Sequence, residues 1–106
     1  MPGTGEVKRG WPKYRQEHTE ELLKILGLIG SDKKLLDDFL KDLLSPAEYR
    51  EIALRWQIVK QLRRGVPHHE VAGNLHVAIG TVTRGARTIL NPEGGFNRAL
   101  RVYGKS

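Results

Sequence analysis

Apolar residues recur at three- and four-residue spacing through most of the chain, the period of an amphipathic helix. Across residues 12–29 the pattern is carried by Leu22, Leu23, Ile25, Leu26 and Ile29; Gly27 weakens this helix and Gly30 is placed to end it. Ser31 or Asp32 then caps a second helix running to about Leu44, with Leu35, Leu36, Phe39, Leu40, Leu43 and Leu44 turned inward. Ser45 at the N-cap, Pro46 at the first helical position and Glu48 at the third form a capping box, in which two otherwise orphaned backbone amides are satisfied reciprocally. The third helix reaches about Arg64, with Ile52, Trp56, Val59 and Leu62 along one stripe, and Gly65 ends it. Pro67 opens a short fourth helix, and a fifth is expected over residues 79–90. Asn91, Pro92 and Glu93 carry another cap-and-start signal, which Gly94 and Gly95 weaken, and a last helix is expected over residues 96–103. No stretch alternates as a strand would. The predicted fold is all-α, with about six helices.

Residues 70–85 are the most informative stretch. Val71, Ala72 and Leu75 place apolar groups on the inner face of one short helix, Val77 lies just past the turn, and Val82 is the matching inward contact on the next. Ala72 is small where the two helices must approach. His76 occupies a turn position that often needs a positive φ, and histidine is one of the few non-glycine residues enriched there. The outward positions of the second helix, Ala78, Gly80, Thr81 and Thr83, are small or hydroxylated, and Arg84 and Arg87 follow. Small outward residues let a helix come close to base edges, while arginines behind them reach phosphates. The pattern is that of a helix-turn-helix over residues 67–90, and an ordinary helical hairpin is the plainer alternative.

At 106 residues the chain is expected to make one domain, residues 11–106, behind a flexible arm of residues 1–10; a bland tail is the stronger reading of the arm, and contact of Lys8 and Arg9 with a DNA backbone the weaker one. Hydrophobic content of 39% and charged content of 28% are globular values and exclude a disordered chain. With no cysteine there is neither a disulfide framework nor a thiolate metal site. The apolar runs are broken by charges, so no membrane span is expected, and the first residues lack the apolar run of a secretory signal; a cytoplasmic protein is the simplest expectation.

The net charge is +6, and its distribution says more than its size. Residues 1–46 hold eight Lys/Arg and eight Asp/Glu, whereas residues 47–106 hold ten against four. The excess therefore falls in the half that carries the helix-turn-helix. A basic surface attracts a polyanion because each neutralised phosphate releases counterions. The leucine-rich first two helices are more apolar than so small a monomer can cover, and intertwined homodimerisation would bury them. It would also set two recognition helices one DNA turn apart, as a palindromic double-stranded operator requires. An enzyme is not expected. The four histidines (His18, His68, His69, His76) have no carboxylate cluster at metal-ligand spacing, and there is no nucleophile–base pair or phosphate loop. His68 and His69 read as DNA-facing polar groups.

The assembled pieces resemble the bacterial tryptophan repressor family over about residues 40–90. They are Leu44, Ser45, Pro46, Ala47 and Glu48; Arg55 with Ile58 and Val59; Leu62, Arg63, Arg64 and Gly65; Glu70 and Val71; and the run from Ile79 through Gly80, Thr81, Val82, Thr83 and Arg84 to Gly85. The resemblance implies a six-helix repressor fold and a sequence-specific DNA-binding transcriptional repressor with L-tryptophan as corepressor. The docking geometry on DNA comes with the resemblance, the family being one of the type cases for it. It further implies that Arg84 pairs with the ligand carboxylate, that Arg55 stacks on the indole, and that Val59, Gly85 and Thr88 line the slot. Ser45, where the family has Thr, would stand near the ligand amino group with the carbonyls of Asp42 and Leu44. The residues expected to face DNA are His68, His69, Ala78, Ile79, Gly80, Thr81, Thr83 and Arg87.

Read without the resemblance, several of these residues keep a second meaning. Ser45 is first of all a helix cap, and Arg55 and Arg84 suit phosphate contacts or structural ion pairs equally well. Gly85 in mid-helix costs about 1 kcal/mol relative to alanine, which calls for the close approach of a ligand, a neighbouring helix or the DNA backbone. The chain also departs from the family pattern. Ala86 and Arg87 replace the usual Ser-Asn, the link into the motif is one residue shorter than in enteric members, and His68 and His69 replace Gln and Arg. A regulator of the same fold answering to another effector, or to none, is the alternative function; an RNA-binding or protein-interaction module is a more distant one.

Overall fold

Each helix begins and ends where local chemistry marks it. The computed structural model describes residues 13–103, which form α1 (Lys13–Ile29), α2 (Lys33–Leu43), α3 (Pro46–Arg63), α4 (His68–Leu75), α5 (Ile79–Ala86), a 3-10 turn (Arg87–Leu90) and α6 (Gly95–Tyr103). The fold is all-α, with no strand among the described residues. The arm expected over residues 1–10 lies outside them. Where one domain was expected over residues 11–106, the chain divides into two compact units between Leu44 and Ser45.

In the first unit α1 packs on α2. The cap of α2 is Asp32 rather than Ser31: its carboxylate accepts from the Leu35 amide at 3.1 Å. Lys34–Asp38 (2.9 Å) and Lys41–Asp37 (3.0 Å) decorate its polar face with i,i+4 ion pairs. The leucines expected to turn inward are not buried. No residue of α2 is buried, and Leu35 and Leu43 remain about half exposed, as Leu23 and Leu28 of α1 do to a greater degree. Two amphipathic helices have only one apolar seam to share, so their remaining leucines stay at the surface.

The second unit has a closed core. The Ser45 hydroxyl accepts from the Glu48 amide (3.1 Å) while the Glu48 carboxylate accepts from the Ser45 amide (2.8 Å), completing the expected capping box. That backbone amide first, and the Ser45 hydroxyl second, hold the Glu48 carboxyl below its ordinary range. α3 closes on Gly65, whose φ of 88° admits only glycine without strain, and the Val66 amide reaches back to the Gln61 carbonyl at 3.2 Å. Ile58, Val71 and Val82 are almost wholly buried, with Leu54, Leu62, Val66, Ala72, Leu75 and Val77 packed around them. The inward set of the helix-turn-helix is therefore as expected. His76 takes the left-handed turn conformation (φ 59°), and the amides of His76 and Val77 both donate to the Ala72 carbonyl.

Three local expectations change. The buried edge of α3 runs through Leu54, Ile58 and Leu62, with Val59 beside it, whereas Ile52 is half exposed; Trp56 lies against Phe96 with ring centroids 6.2 Å apart. The fifth helix stops at Ala86 rather than Leu90. The Thr88 hydroxyl donates to the Gly85 carbonyl (2.7 Å), and the Arg87 amide is shared between the Arg84 and Gly85 carbonyls, so the chain tightens into the 3-10 turn. Asn91, Pro92 and Glu93 make a turn instead of starting a helix, because the Asn91 side chain accepts from the Glu93 amide (3.0 Å). α6 starts at Gly95, anchored by the buried Asn97, which donates to the carbonyls of Ile89 (3.1 Å) and Asn91 (2.8 Å).

Candidate functional site

A pocket of ≈ 280 Å³ opens within the second unit between two stripes at helical spacing. α3 contributes Glu51, Leu54, Arg55, Ile58 and Val59; α5 and the turn after it contribute Thr81, Arg84, Gly85 and Thr88; Phe96 closes one side. The volume is near the lower end for ligand pockets, about 300 Å³, and fits a small molecule. Its floor is apolar, since Ile58 and Val59 are buried, and its rim is charged.

Each rim group is positioned from its own helix. An Arg84 guanidinium nitrogen donates to the Thr81 hydroxyl one turn earlier, at 3.4 Å. The Arg55 guanidinium is paired with the Glu51 carboxylate at 3.1 Å, and both side chains remain more than half exposed. The pocket thus holds two guanidinium groups and one carboxylate around an apolar floor. A cationic pair over apolar surface suits a ligand with a carboxylate at one end and a flat apolar body at the other.

Gly85 is explained by a neighbouring helix. A Cβ built at this position would lie 2.8 Å from Cγ2 of Ile58, a β-branched side chain locked in the core. The glycine lets α5 lie down on α3, and thereby sets the width of the pocket that it lines. Gly80 is different, because nothing lies within 4 Å of a Cβ placed there.

Of the residues expected at the effector slot, Arg55, Val59, Arg84, Gly85 and Thr88 come together in this pocket. Ser45 is not in its lining, being engaged in the cap of α3; Asp42 and Leu44 belong to the first unit, where Leu44 terminates α2. Thr81, expected to face DNA, lines the pocket and supports Arg84. Sequence reading missed Glu51, Leu54, Ile58 and Phe96 as lining residues. For the first three a signal exists, since positions 51, 54, 55, 58 and 59 form one face of a helix; nothing local marks Phe96.

The opposite face of α5 is open. Ala78 caps it without a side-chain bond, and Ala78, Ile79, Gly80 and Thr83 are exposed, as are Arg87 just beyond and His68 and His69 in the first turn of α4. The Thr83 hydroxyl donates to the Ile79 carbonyl (3.0 Å), which leaves its oxygen facing outward as an acceptor. One helix therefore carries an open face of Ala78, Ile79, Gly80 and Thr83 on one side and a ligand-sized pocket on the other. Among the described residues no group of three or more His, Cys, Asp or Glu side chains is placed to hold a metal ion, and no helix is long and apolar enough to cross a membrane.

Helices α4 and α5, with the left-handed turn at His76 between them, form a helix-turn-helix. The family model described as Trp repressor protein matches residues 17–103, and the chain belongs to that family, whose members are DNA-binding repressors and not enzymes. It is similar to the Trp operon repressor homolog of Haemophilus influenzae (strain PittEE), 30% identical over 88 residues, 82% of this chain and 86% of that protein. It is also similar to the Trp operon repressor homolog of Actinobacillus succinogenes, 42% identical over 53 residues, 49% of this chain and 52% of that protein. No solved structure matches the chain.

Proposed function

We propose that this protein represses transcription with L-tryptophan as corepressor, acting as an intertwined homodimer on a palindromic DNA operator in the cytoplasm. The observation that carries this reading is the pocket itself: Arg55 and Arg84 stand at the rim of an apolar slot of ≈ 280 Å³ directly behind the outward face of α5. In this reading Arg84 binds the carboxylate of the amino acid, Arg55 lies against the indole, and Val59, Gly85 and Thr88 shape the slot. The corepressor supplies an aromatic body and a carboxylate, nothing more reactive.

The mechanism follows from one helix having two working faces. α5 is only eight residues long and is held on its inner side by Val82 and by Gly85 against Ile58. Filling the slot between α3 and α5 favours the one placement of α5 in which Thr81 and Arg84 meet the ligand. Ala78, Ile79, Gly80 and Thr83 move with that placement, so occupancy selects a subset of the conformations open to the reading head. His68, His69 and Arg87 flank this face and would contact the operator or its backbone. Ligand binding and DNA binding are then linked, and each strengthens the other by the same factor.

Calorimetric titration of the purified protein with L-tryptophan tests the reading. Saturable binding to the wild type, abolished in Arg84→Ala while the circular dichroism spectrum is unchanged, is the expected outcome. Unchanged affinity in Arg84→Ala would remove Arg84 from the site and overturn the assignment.

A further inference from the structure

We infer that Phe96 is a size-selecting wall of the pocket: it admits the unsubstituted ring of the effector and rejects a ring enlarged at the edge that faces it. The inference rests on the corepressor reading above and adds to it a residue that gauges the ring. Phe96 is the aromatic side chain that α6 brings to the pocket. Its neighbour Asn97 donates to the Ile89 carbonyl at 3.1 Å, which ties the start of α6 to the 3-10 turn that carries Thr88. Phe96 therefore stands on the Thr88 side of the pocket, whereas Arg84 precedes Thr88 by one helical turn and Thr81 by two. A ligand with its carboxylate on Arg84 and its flat body on Ile58 and Val59 turns the outer edge of its ring toward Phe96.

A wall selects only if it holds its place, and Phe96 is braced on three sides. Its ring lies against Trp56 of α3, with centroids 6.2 Å apart and planes tilted by 40°, within the range of a favourable aromatic pair. On one side its backbone is pinned by the buried Asn97, which also donates to the Asn91 carbonyl at 2.8 Å. On the other, the Gly94 amide donates to that same carbonyl at 2.9 Å, and the chain runs so close there that a Cβ at Gly94 would lie 3.2 Å from the oxygen. Swinging the ring back means displacing Trp56, which stands on the same helix as the pocket floor. The pocket is small, ≈ 280 Å³, and an added ring substituent finds little spare room in it. Atoms forced against a packed side chain destabilise the complex, whereas trimming that side chain makes space for them. The wall carries no charge, so it selects by shape, apart from the recognition of the carboxylate by Arg84.

The test titrates the wild type and Phe96→Leu by calorimetry with L-tryptophan and with its 5-bromo, 6-bromo and 7-bromo derivatives, which place one bulky atom at successive points of the ring edge. The wild type is expected to bind at least one of the three more weakly than tryptophan by roughly tenfold or more, the usual weight of an overpacked contact. Phe96→Leu keeps an apolar contact with Trp56 and should bring that derivative to within a few-fold of tryptophan. Phe96→Met, flexible and close in volume, should relax the discrimination in the same direction and serves if the leucine variant does not fold. A purely structural Phe96 would change all four affinities in parallel and leave their ratios alone. That result, or a wild type that binds all three derivatives as tightly as tryptophan, overturns the inference while the corepressor reading stands. If the wild type does not bind tryptophan, the corepressor reading falls and takes the inference with it.

Discussion

The two compact units of this chain are built to opposite standards. The second closes on itself: Ile58, Val59, Val71 and Val82 are almost completely buried, and its loops are tied down by Gly65, His76 and Asn97. The first is richer in leucine yet buries no residue of α2 and leaves Leu23, Leu28, Leu35 and Leu43 largely at the surface. Helix capping and ion pairs shape both, so local chemistry is not what separates them. The difference is in who covers the apolar face. In the second unit α3, α4 and α5 cover one another, and a ligand-sized gap is left where two stripes are held apart. In the first, two helices share a single seam, and the uncovered leucines fit the second copy of the chain that the proposed function requires.

Substitutions in the two apolar sets should separate these cases most strongly. Ile58→Ala empties a closed core and is expected to cost about 2–5 kcal/mol in chemical denaturation, at any protein concentration. Leu35→Glu should leave the second unit folded and instead break association, so that a species of twice the chain mass sediments as the 12.0 kDa chain. If Leu35→Glu sediments like the wild type, the first unit is not covered by a second copy. Gly85→Ala comes next. Its methyl group would meet Ile58 at 2.8 Å, and forcing α5 off α3 should cost about 1–3 kcal/mol and widen the pocket, weakening ligand binding along with stability. A melting temperature equal to the wild type would show that the helices yield without cost.

The smallest effect tests the junction between the units. Ser45→Ala removes one half of the capping box and should cost about 1 kcal/mol near neutral pH, read from denaturant midpoints. Because the native Glu48 carboxyl sits below its ordinary range, its contribution is present above that range and is lost as the pH falls through the lowered native value. Glu48→Gln should therefore be less stable than the wild type at neutral pH and converge with it in acid. A gap between the two that widens on acidification would contradict the shift.

Much of this was legible along the chain because it is local. Ser45, Pro46 and Glu48 specify a capping box by spacing alone; His76 marks a left-handed turn; and Val71, Ala72, Leu75, Val77 and Val82 follow from the period of two short helices. The features that were not legible depend on packing. Gly85 signalled a close approach without saying of what, and only the placement of α5 on α3 names Ile58. The 3-10 turn after Ala86 arises from a threonine hydroxyl competing for a helix carbonyl, and Asn91 makes a turn because its side chain reaches Glu93 before any helix can begin. Glu51 reads as an ordinary surface partner of Arg55 until the opposing stripe of Thr81, Arg84 and Gly85 is set against it. Thr81 reads as an outward residue for the same reason: the two faces of α5 are fixed by what lies behind it.

The central claim is that the two faces of α5 are coupled, with effector behind and DNA in front. It is tested most directly by selecting duplexes from a random pool with the purified protein, in the presence and absence of L-tryptophan at one fixed salt concentration. The account predicts enrichment of a palindromic sequence with tryptophan, little enrichment without it, and the same failure to enrich when Arg84→Ala is used with tryptophan. Equal enrichment of one sequence with and without tryptophan would contradict it, and would leave the helix-turn-helix reading DNA without reference to the pocket behind it.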